Sequence, residues 1–405
     1  MSHACLFCGS TRQRLVLSLG QQPLANSYLT AAQLTRPEPV YPLDLYWCEE
    51  CHLTQITPVA TSQDIFSDYA YFSSFSTTWL EHARQYVAMI SERLQLGAAS
   101  QVIEIASNDG YLLQYFVERG IPCLGIEPAV NVAAAAREKR VPTRVAFWGQ
   151  ETAASLNEER MQADLIIGNN VLAHVPTLNE FVAGVKLALK PDGVATFEFP
   201  HLYRLIEEHQ FDTIYHEHFS YFAFFVVERV FAQHGLRLFD VEQLSTHGGS
   251  LRIYACHGDA KREDTPRTRA LREEELAAGL DAFAYYESFA GRVENTRQEV
   301  LDFLLDAREH GQKVAGYGAP AKGNTLLNYC GVTPALLPYT VDRSPHKQGL
   351  YLPGSHVPVR APEHVAEDRP DYLFILPWNL QEEIMDQMRH IRDWGGRFVV
   401  AIPHV

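Results

Sequence analysis

No stretch of this 405-residue chain approaches the ~18 consecutive apolar residues that a membrane-spanning helix needs. Positive charge is also scarce. The chain carries 34 Lys and Arg against 49 Asp and Glu, a formal net charge of −15. That balance argues against nucleic acid as a partner, since such proteins need a basic face. It leaves room for a few placed cations to hold an anionic small molecule. The start, MSHACLFCGS, lacks the basic-then-apolar pattern of a secretory signal. No internal repeat, low-complexity tract or long polar linker interrupts the chain, so closely packed domains are expected. The length suggests two or three of them.

Cysteine is sparse but patterned. Four of the seven cysteines form two Cys-x-x-Cys pairs, in "CLFCGS" and "YWCEECHLTQ". Such pairs read as metal binding in a reducing compartment, not as a disulfide frame, and a cytoplasmic location is expected. Cys5, Cys8, Cys48 and Cys51 together complete a closed tetrahedral zinc site, one structural ion per chain, with no open position for catalysis. The gap between the pairs exceeds that of the usual zinc finger, and free or redox-active cysteines are the competing reading. Pro-rich, strand-like sequence fills the gap. The segment 1–73 is expected to form a zinc-binding N-terminal domain.

From 74 to 258 short apolar runs alternate with helical stretches: "SQVIEIASNDGYLLQYF", "PCLGIEP", "RVAFWG", "ADLIIGNNVLAHV" and "GVATFEFP". This alternation implies α/β architecture, a parallel sheet with helices on both faces, whose ligands bind beyond the strands' carboxyl ends. "LRLFDVEQLS" and "GSLRIYACH" leave no room for a helix between them, so they pair as an antiparallel hairpin. A parallel sheet closed in this way resembles the Rossmann-like class I methyltransferases, which use S-adenosylmethionine. A nicotinamide is the runner-up cofactor, disfavoured by the hairpin. "EIASNDG" matches the acidic-x-Gly-x-Gly-x-Gly cofactor loop in part: Glu104 and Gly110 are present, while Ala106 and Asn108 replace the first two glycines. Glu127 ends the second strand, where a carboxylate accepts from both ribose hydroxyls. Phe147 and Trp148 follow the third strand and could cover the adenine. Asn169 and Asn170 end the fourth, near the reacting methyl.

The segment 259–405 starts with a charged helical stretch, about 262–310. "KVAGYGAPAKGNTLL" then opens a second, smaller α/β Rossmann-like sheet. Gly316, Gly318 and Gly323 would let a backbone approach a phosphate at a helix N-terminus, or simply mark a tight strand-to-helix connection. Lys322, Arg343 and Lys347 are candidate phosphate contacts.

These motifs, with "DYAYFSSFS", "YHEHFSYF", "HGGSLR", "AKGNTLLNYCG" and "VDRSPHKQG", resemble the sugar C-methyltransferases over nearly the whole chain. That family methylates a nucleotide-linked 4-keto deoxysugar, typically at C-3, using S-adenosylmethionine. The resemblance implies an N-terminal zinc module, a middle cofactor domain and a C-terminal domain that helps hold the nucleotide sugar. It also points to Tyr215, Glu217 and His218 as functional, with His218 as general base, and to His174 and a tyrosine of "DYAYFSS", Tyr69 ahead of Tyr71. Glu217 is expected to orient an imidazole or to bind a sugar substituent.

The residue types suit that chemistry. Methylating carbon needs a base of near-neutral pKa, donors for an enolate oxygen and dry surroundings; histidine, tyrosine and aromatic side chains supply them. On an extended segment His216 would face away from Tyr215 and Glu217, so it reads as structural. His247 either lines the pocket or belongs to the Gly248-Gly249 turn. A metal on His216 and His218, or an aromatic cluster without chemistry, are the competing readings. An O- or N-methyltransferase of a small metabolite, or a non-catalytic nucleotide-sugar-binding protein, are the alternative functions. No membrane partner is expected, and the chain is expected to be a monomer or weak oligomer.

Overall fold

A computed structural model describes residues 3–59 and 73–404. Tyr69 and Tyr71 lie outside the described residues. Strands are numbered along the chain, and they form three sheets.

The first sheet joins β1 (Gln13–Gln22), β2 (Tyr41–Cys48), β3 (Thr54–Ile56) and β9 (Ser220–Tyr221), all antiparallel and in that order. Its last strand comes from far downstream: Thr54 pairs with Tyr221 and Gln55 with Ser220. The sheet therefore crosses the boundary expected at residue 73, and the N-terminal module is completed by the segment that follows "YHEH".

The second sheet has seven strands. β4 (Val102–Ile105), β5 (Cys123–Ile126), β6 (Thr143–Arg144), β7 (Ala163–Asn169) and β8 (Leu189–Pro200) run parallel, and β10 (Leu236–Leu244) and β11 (Ser250–His257) close one edge antiparallel. The order is β10-β11-β8-β7-β4-β5-β6. Central parallel strands are covered on both faces, hence their unbroken apolar runs; β4 is buried at all four positions. The helix Thr77–Arg93 turns Ala83, Tyr86, Val87 and Ile90 inward, the i, i+3, i+4, i+7 spacing of one face. Its N-terminus is capped by Ser76 Oγ, which accepts from Trp79 N–H at 3.2 Å.

The third sheet, parallel throughout, has the order β14 (Val359–Arg360), β13 (Thr340–Val341), β12 (Val314–Tyr317), β15 (Tyr372–Ile375), β16 (Arg397–Val399). The charged stretch before it is not one helix. It breaks into Pro266–Ala278 and Phe289–Glu309, because Gly279 adopts φ +90° and ends the first with a left-handed cap. The glycines of the strand–turn–helix unit, Gly316 in β12, Gly318 in the turn and Gly323 in the helix Ala321–Cys330, are explained by internal packing. A Cβ on Gly316 would meet Thr340, on Gly318 Pro377 and on Gly323 Leu376, all within 3 Å. The tight-connection reading thus accounts for them without a phosphate. Among the described residues, no helix is long and apolar enough to cross a membrane.

Candidate active site

The four cysteine sulfurs lie within 4.8 Å of one another, with Cys5 Sγ 3.5 Å from Cys51 Sγ and Cys8 Sγ 3.6 Å from Cys48 Sγ. A zinc ion at ~2.3 Å from four thiolates separates the sulfurs by ~3.8 Å. The donor set and spacing fit a structural zinc.

The cofactor loop lies between β4 and the helix Gln114–Glu118. Ala106, Asn108 and Gly110 all take left-handed backbone angles, φ +53°, +49° and +75°. These are the three positions at which the full motif carries glycine. The loop keeps the glycine conformation after losing two of the glycines. Asparagine tolerates that region and alanine is strained there. Glu127 lies at the tip of β5. Its Oε2 accepts from Asn108 N–H and its Oε1 from Ala129 N–H, both at 2.9 Å. Those bonds fix the carboxylate and leave lone pairs for ribose hydroxyls. Glu104 is 1% exposed and its Oε2 has no partner among the described residues; burial, then the charge of Glu127, raises its pKa well above the usual range. Asn169 Nδ2 is likewise buried without a partner. Orphaned polar atoms at the strand tips are what a polar cofactor would satisfy. Phe147 is exposed and available to a ring, whereas Trp148 turns inward and donates its Nε1–H to Phe181 O at 3.2 Å.

Beside that loop, "YHEH" is a turn and not an extended segment: His218 N–H donates to Tyr215 O at 2.9 Å. The turn brings Tyr215 and His218 together, three residues apart. Thr213 O is 2.9 Å from His218 Nδ1. A carbonyl only accepts, so Nδ1 carries the proton and Nε2 keeps its lone pair. The Tyr215 hydroxyl donates to that lone pair at 2.7 Å. His174 packs edge-on against His218 with ring centroids 4.5 Å apart. Burial, with His174 alongside, holds His218 well below the usual histidine range, and burial brings His174 down to about 4. Both rings are neutral at pH 7.

Glu217 does not orient His218; the Thr213 carbonyl does. Glu217 is 2% exposed and both its carboxylate oxygens accept from Asn26 Nδ2, at 2.7 and 2.8 Å. Burial raises its pKa to about 7. His216 turns to the N-terminal module, its Nε2 3.2 Å from Pro42 O and its ring edge-on to Tyr41. His247, in the hairpin turn, reaches Asn170 Nδ2 at 3.1 Å and packs on Trp79.

The C-terminal domain contributes Lys322. Its ammonium donates to Asn379 Oδ1 at 2.7 Å and lies 4.5 Å from the Trp378 ring centroid. Burial lowers its pKa to about 8. Trp378 donates to Asp212 Oδ2 at 2.8 Å. Lys347 donates to Ala319 O at 2.8 Å and faces the Tyr28 ring. Arg343 is half exposed beside Glu383 and plays no part in the pocket. Sequence reasoning did not single out Asn26, Asp212 or Trp378, although Asp212 lies just before "YHEHFSYF". It also missed Glu198, a carboxylate inside the apolar run "FEFP" and so a visible signal. Glu198 is fully buried against His82, Thr246 and Arg252. A cavity of about 660 Å³ beyond that network is lined by His82, Glu242, Arg252 and Arg267; Glu242 pairs with both arginines, and Arg252 donates to His82 Nε2 at 3.1 Å. It contains none of the histidines of the turn.

Residues 5–66 match a zinc binding domain family, 79–241 a methyltransferase domain and 245–403 the C-methyltransferase C-terminal domain. The chain is 35% identical over 399 residues to C-methyltransferase NovU of Streptomyces niveus, covering 98% of this chain and 95% of that one. It is 26% identical over 97 residues to a ubiquinone biosynthesis O-methyltransferase of Rhodopseudomonas palustris, covering 24% and 38%. Among solved structures, a magnesium protoporphyrin IX methyltransferase from Synechocystis with bound SAM matches with a TM-score of 0.34 at 13% identity, covering 44% of this chain and 79% of that one. The chain belongs to the S-adenosylmethionine-dependent C-methyltransferases that combine a zinc-binding module, a cofactor domain and a C-terminal C-methyltransferase domain.

Proposed function

We propose that the protein methylates carbon next to the ketone of a nucleotide-linked 4-keto deoxysugar, at C-3, with His218 as the base. The observation that carries this reading is the state of His218. It is a neutral imidazole with Nδ1–H committed to a carbonyl and Nε2 free of its own proton. Carbon methylation, unlike transfer to oxygen or nitrogen, requires a C–H bond to be broken first, and this is the group to break it.

His218 Nε2 takes the proton, and the C–H electron pair moves onto the ketone oxygen as an enolate. The Tyr215 hydroxyl, which donates to Nε2 in the resting site, then becomes a donor for that oxygen. The Thr213 carbonyl accepts from Nδ1–H throughout and stabilises the imidazolium. S-adenosylmethionine, when bound, supplies a methyl group electrophilic enough for the enolate carbon. Glu104, Ala106, Asn108, Gly110, Glu127, Phe147 and Asn169 hold it on the strand tips. Glu217 accepts a hydroxyl of the sugar, and Lys322 adds positive charge from the C-terminal domain. Tyr69, from the segment outside the described residues, remains a candidate member of the site.

The test is solvent exchange. A nucleoside-diphosphate 4-keto-6-deoxyhexose incubated with the protein in heavy water should take up deuterium at C-3. Uptake at C-5 alone would move the reaction to the other side of the ketone, and no uptake would remove the carbon-acid mechanism.

A further inference from the structure

The zinc-binding module does more than sit beside the reaction domain. Its sheet takes β9 as a fourth strand, two residues after His218. Its loop after β1 runs under the turn that carries Tyr215, Glu217 and His218. That loop is held from the other side by the C-terminal domain. Asn324 Nδ2 donates to Ala25 O at 2.6 Å, Tyr28 donates its hydroxyl to Ala319 O at 2.5 Å, and Leu29 and Tyr351 exchange backbone hydrogen bonds at 2.9 and 2.8 Å. Asn26, clamped between these anchors, presents Nδ2 to both oxygens of Glu217.

We propose that Asn26 is a positioning residue for methyl transfer. It favours the ionised, hydrogen-bond-accepting form of the Glu217 carboxylate and so makes the zinc module a working wall of the active site. The proposal rests on the reading of Glu217 as a sugar contact, and its first measurement does not.

The argument is one of opposing effects. A carboxyl group 2% exposed favours its neutral form. A neutral carboxylic acid would spend its proton as a donor and lose its use as a fixed acceptor. One amide nitrogen facing both oxygens favours the anion, because an ionised carboxylate accepts at both oxygens and donates at neither. Among the described residues, few other groups act on Glu217. Lys347 from the C-terminal domain favours the anion, while Tyr28 and His174 lie nearby and carry no charge at neutral pH. The balance places Glu217 at about 7, where losing one donor changes its charge under working conditions. The loop geometry explains why Asn26 can do this: its backbone cannot retreat, being tied at Ala25, Tyr28 and Leu29.

The test uses the full, zinc-loaded chain labelled with ¹³C at glutamate side-chain carboxyls. The Glu217 signal is assigned by its loss in Glu217→Gln. Wild type should titrate near pH 7. In Asn26→Ala the midpoint should rise by about one to two units, the range expected from removing charge-assisted hydrogen bonds. In Asn26→Asp it should rise at least as far, since a second carboxylate opposes the first. Zinc content and S-adenosylmethionine affinity should stay at wild-type values in both. The kinetic counterpart, with a nucleoside-diphosphate 4-keto-6-deoxyhexose as probe, is a rise of the same size in the acid limb of kcat/KM. That limb should be absent in Glu217→Gln and unaffected there by adding Asn26→Ala. An unchanged Glu217 midpoint in Asn26→Ala, with zinc and cofactor binding intact, overturns the proposal. So does a rate loss that is uniform across pH. If the probe is not methylated by wild type, the substrate reading fails, and the carboxyl titration still decides the role of Asn26.

Discussion

Replacing Gly110 by alanine should cost about 2–5 kcal/mol of stability, while replacing Ala106 by glycine in the same loop should cost nothing. Gly110 adopts φ +75°, which an alanine reaches at a penalty of about 1–2 kcal/mol. Its new Cβ would lie 2.9 Å from Val141 Cγ2 and 3.3 Å from Ala136 Cβ, both on buried residues. Overpacking of that kind adds about 1–3 kcal/mol. Ala106 already carries a Cβ at φ +53°. Glycine there relieves about 1–2 kcal/mol of backbone strain and loses about 0.5–1 kcal/mol to the freer unfolded chain. The net change is between zero and about 1 kcal/mol in favour of folding. Urea denaturation followed by tryptophan fluorescence reads both, with the slope against urea unchanged. The reasoning fails if Gly110→Ala is as stable as wild type, or if Ala106→Gly loses 2 kcal/mol or more. Either result would mean that the loop does not hold the glycine-motif conformation.

Three further outcomes follow from the same geometry. Metal analysis should find one zinc per chain, and Cys48→Ser should lose it with a drop in stability and solubility; carefully purified protein without zinc would refute the four-cysteine site. Glu127→Ala should weaken S-adenosylmethionine binding by about 1–3 kcal/mol in calorimetry, the loss of charge-assisted bonds to two hydroxyls; unchanged affinity would refute the assignment of the β5 tip. Glu198→Ala should destabilise the fold by up to about 3–5 kcal/mol, because it removes the buried partner of Arg252 and leaves that guanidinium only its pairing with the partly exposed Glu242. Burial opposes ionisation of Glu198, yet His82 and Arg252 hold its pKa at about 2. A depressed carboxylate stabilises fully above its unfolded pKa of ~4.3 and loses that contribution as pH falls towards 2. Wild type should therefore lose stability across that window and the variant should lose less; identical acid profiles would contradict it.

The parts of the molecule visible in the sequence are those set by local pattern. Apolar runs and helical periods placed the seven strands of the second sheet, and the absent helix between β10 and β11 marked the hairpin. The four cysteines were visible as pairs because a metal site needs short-range geometry that spacing records. "YHEHFSYF" stood out because of its residue types. What it does depends on its turn, which aligns Tyr215 with His218 and sends His216 to Pro42; the sequence reading took the segment as extended and so could not show that pairing. Contacts made across hundreds of residues left no pattern to read. Asn26 reaches Glu217, Trp378 reaches Asp212 and β3 pairs with β9 through contacts that only the folded chain makes. Gly316, Gly318 and Gly323 show a motif-like spacing for which packing against Thr340, Pro377 and Leu376 is sufficient reason, the second of the two readings their sequence allowed.

The central claim is that His218 breaks a carbon–hydrogen bond before the methyl group moves. The measurement that tests it most directly is deuterium uptake by a nucleoside-diphosphate 4-keto-6-deoxyhexose in heavy water, comparing wild type with His218→Asn. Asparagine keeps a polar side chain at that position and removes the base. Exchange and methyl transfer should fall together by about 10²–10⁴-fold, with cofactor and sugar affinity nearly unchanged, because the imidazole acts on the transition state. Exchange at close to the wild-type rate in His218→Asn would contradict the account and move the base to another group of the pocket, His174 first.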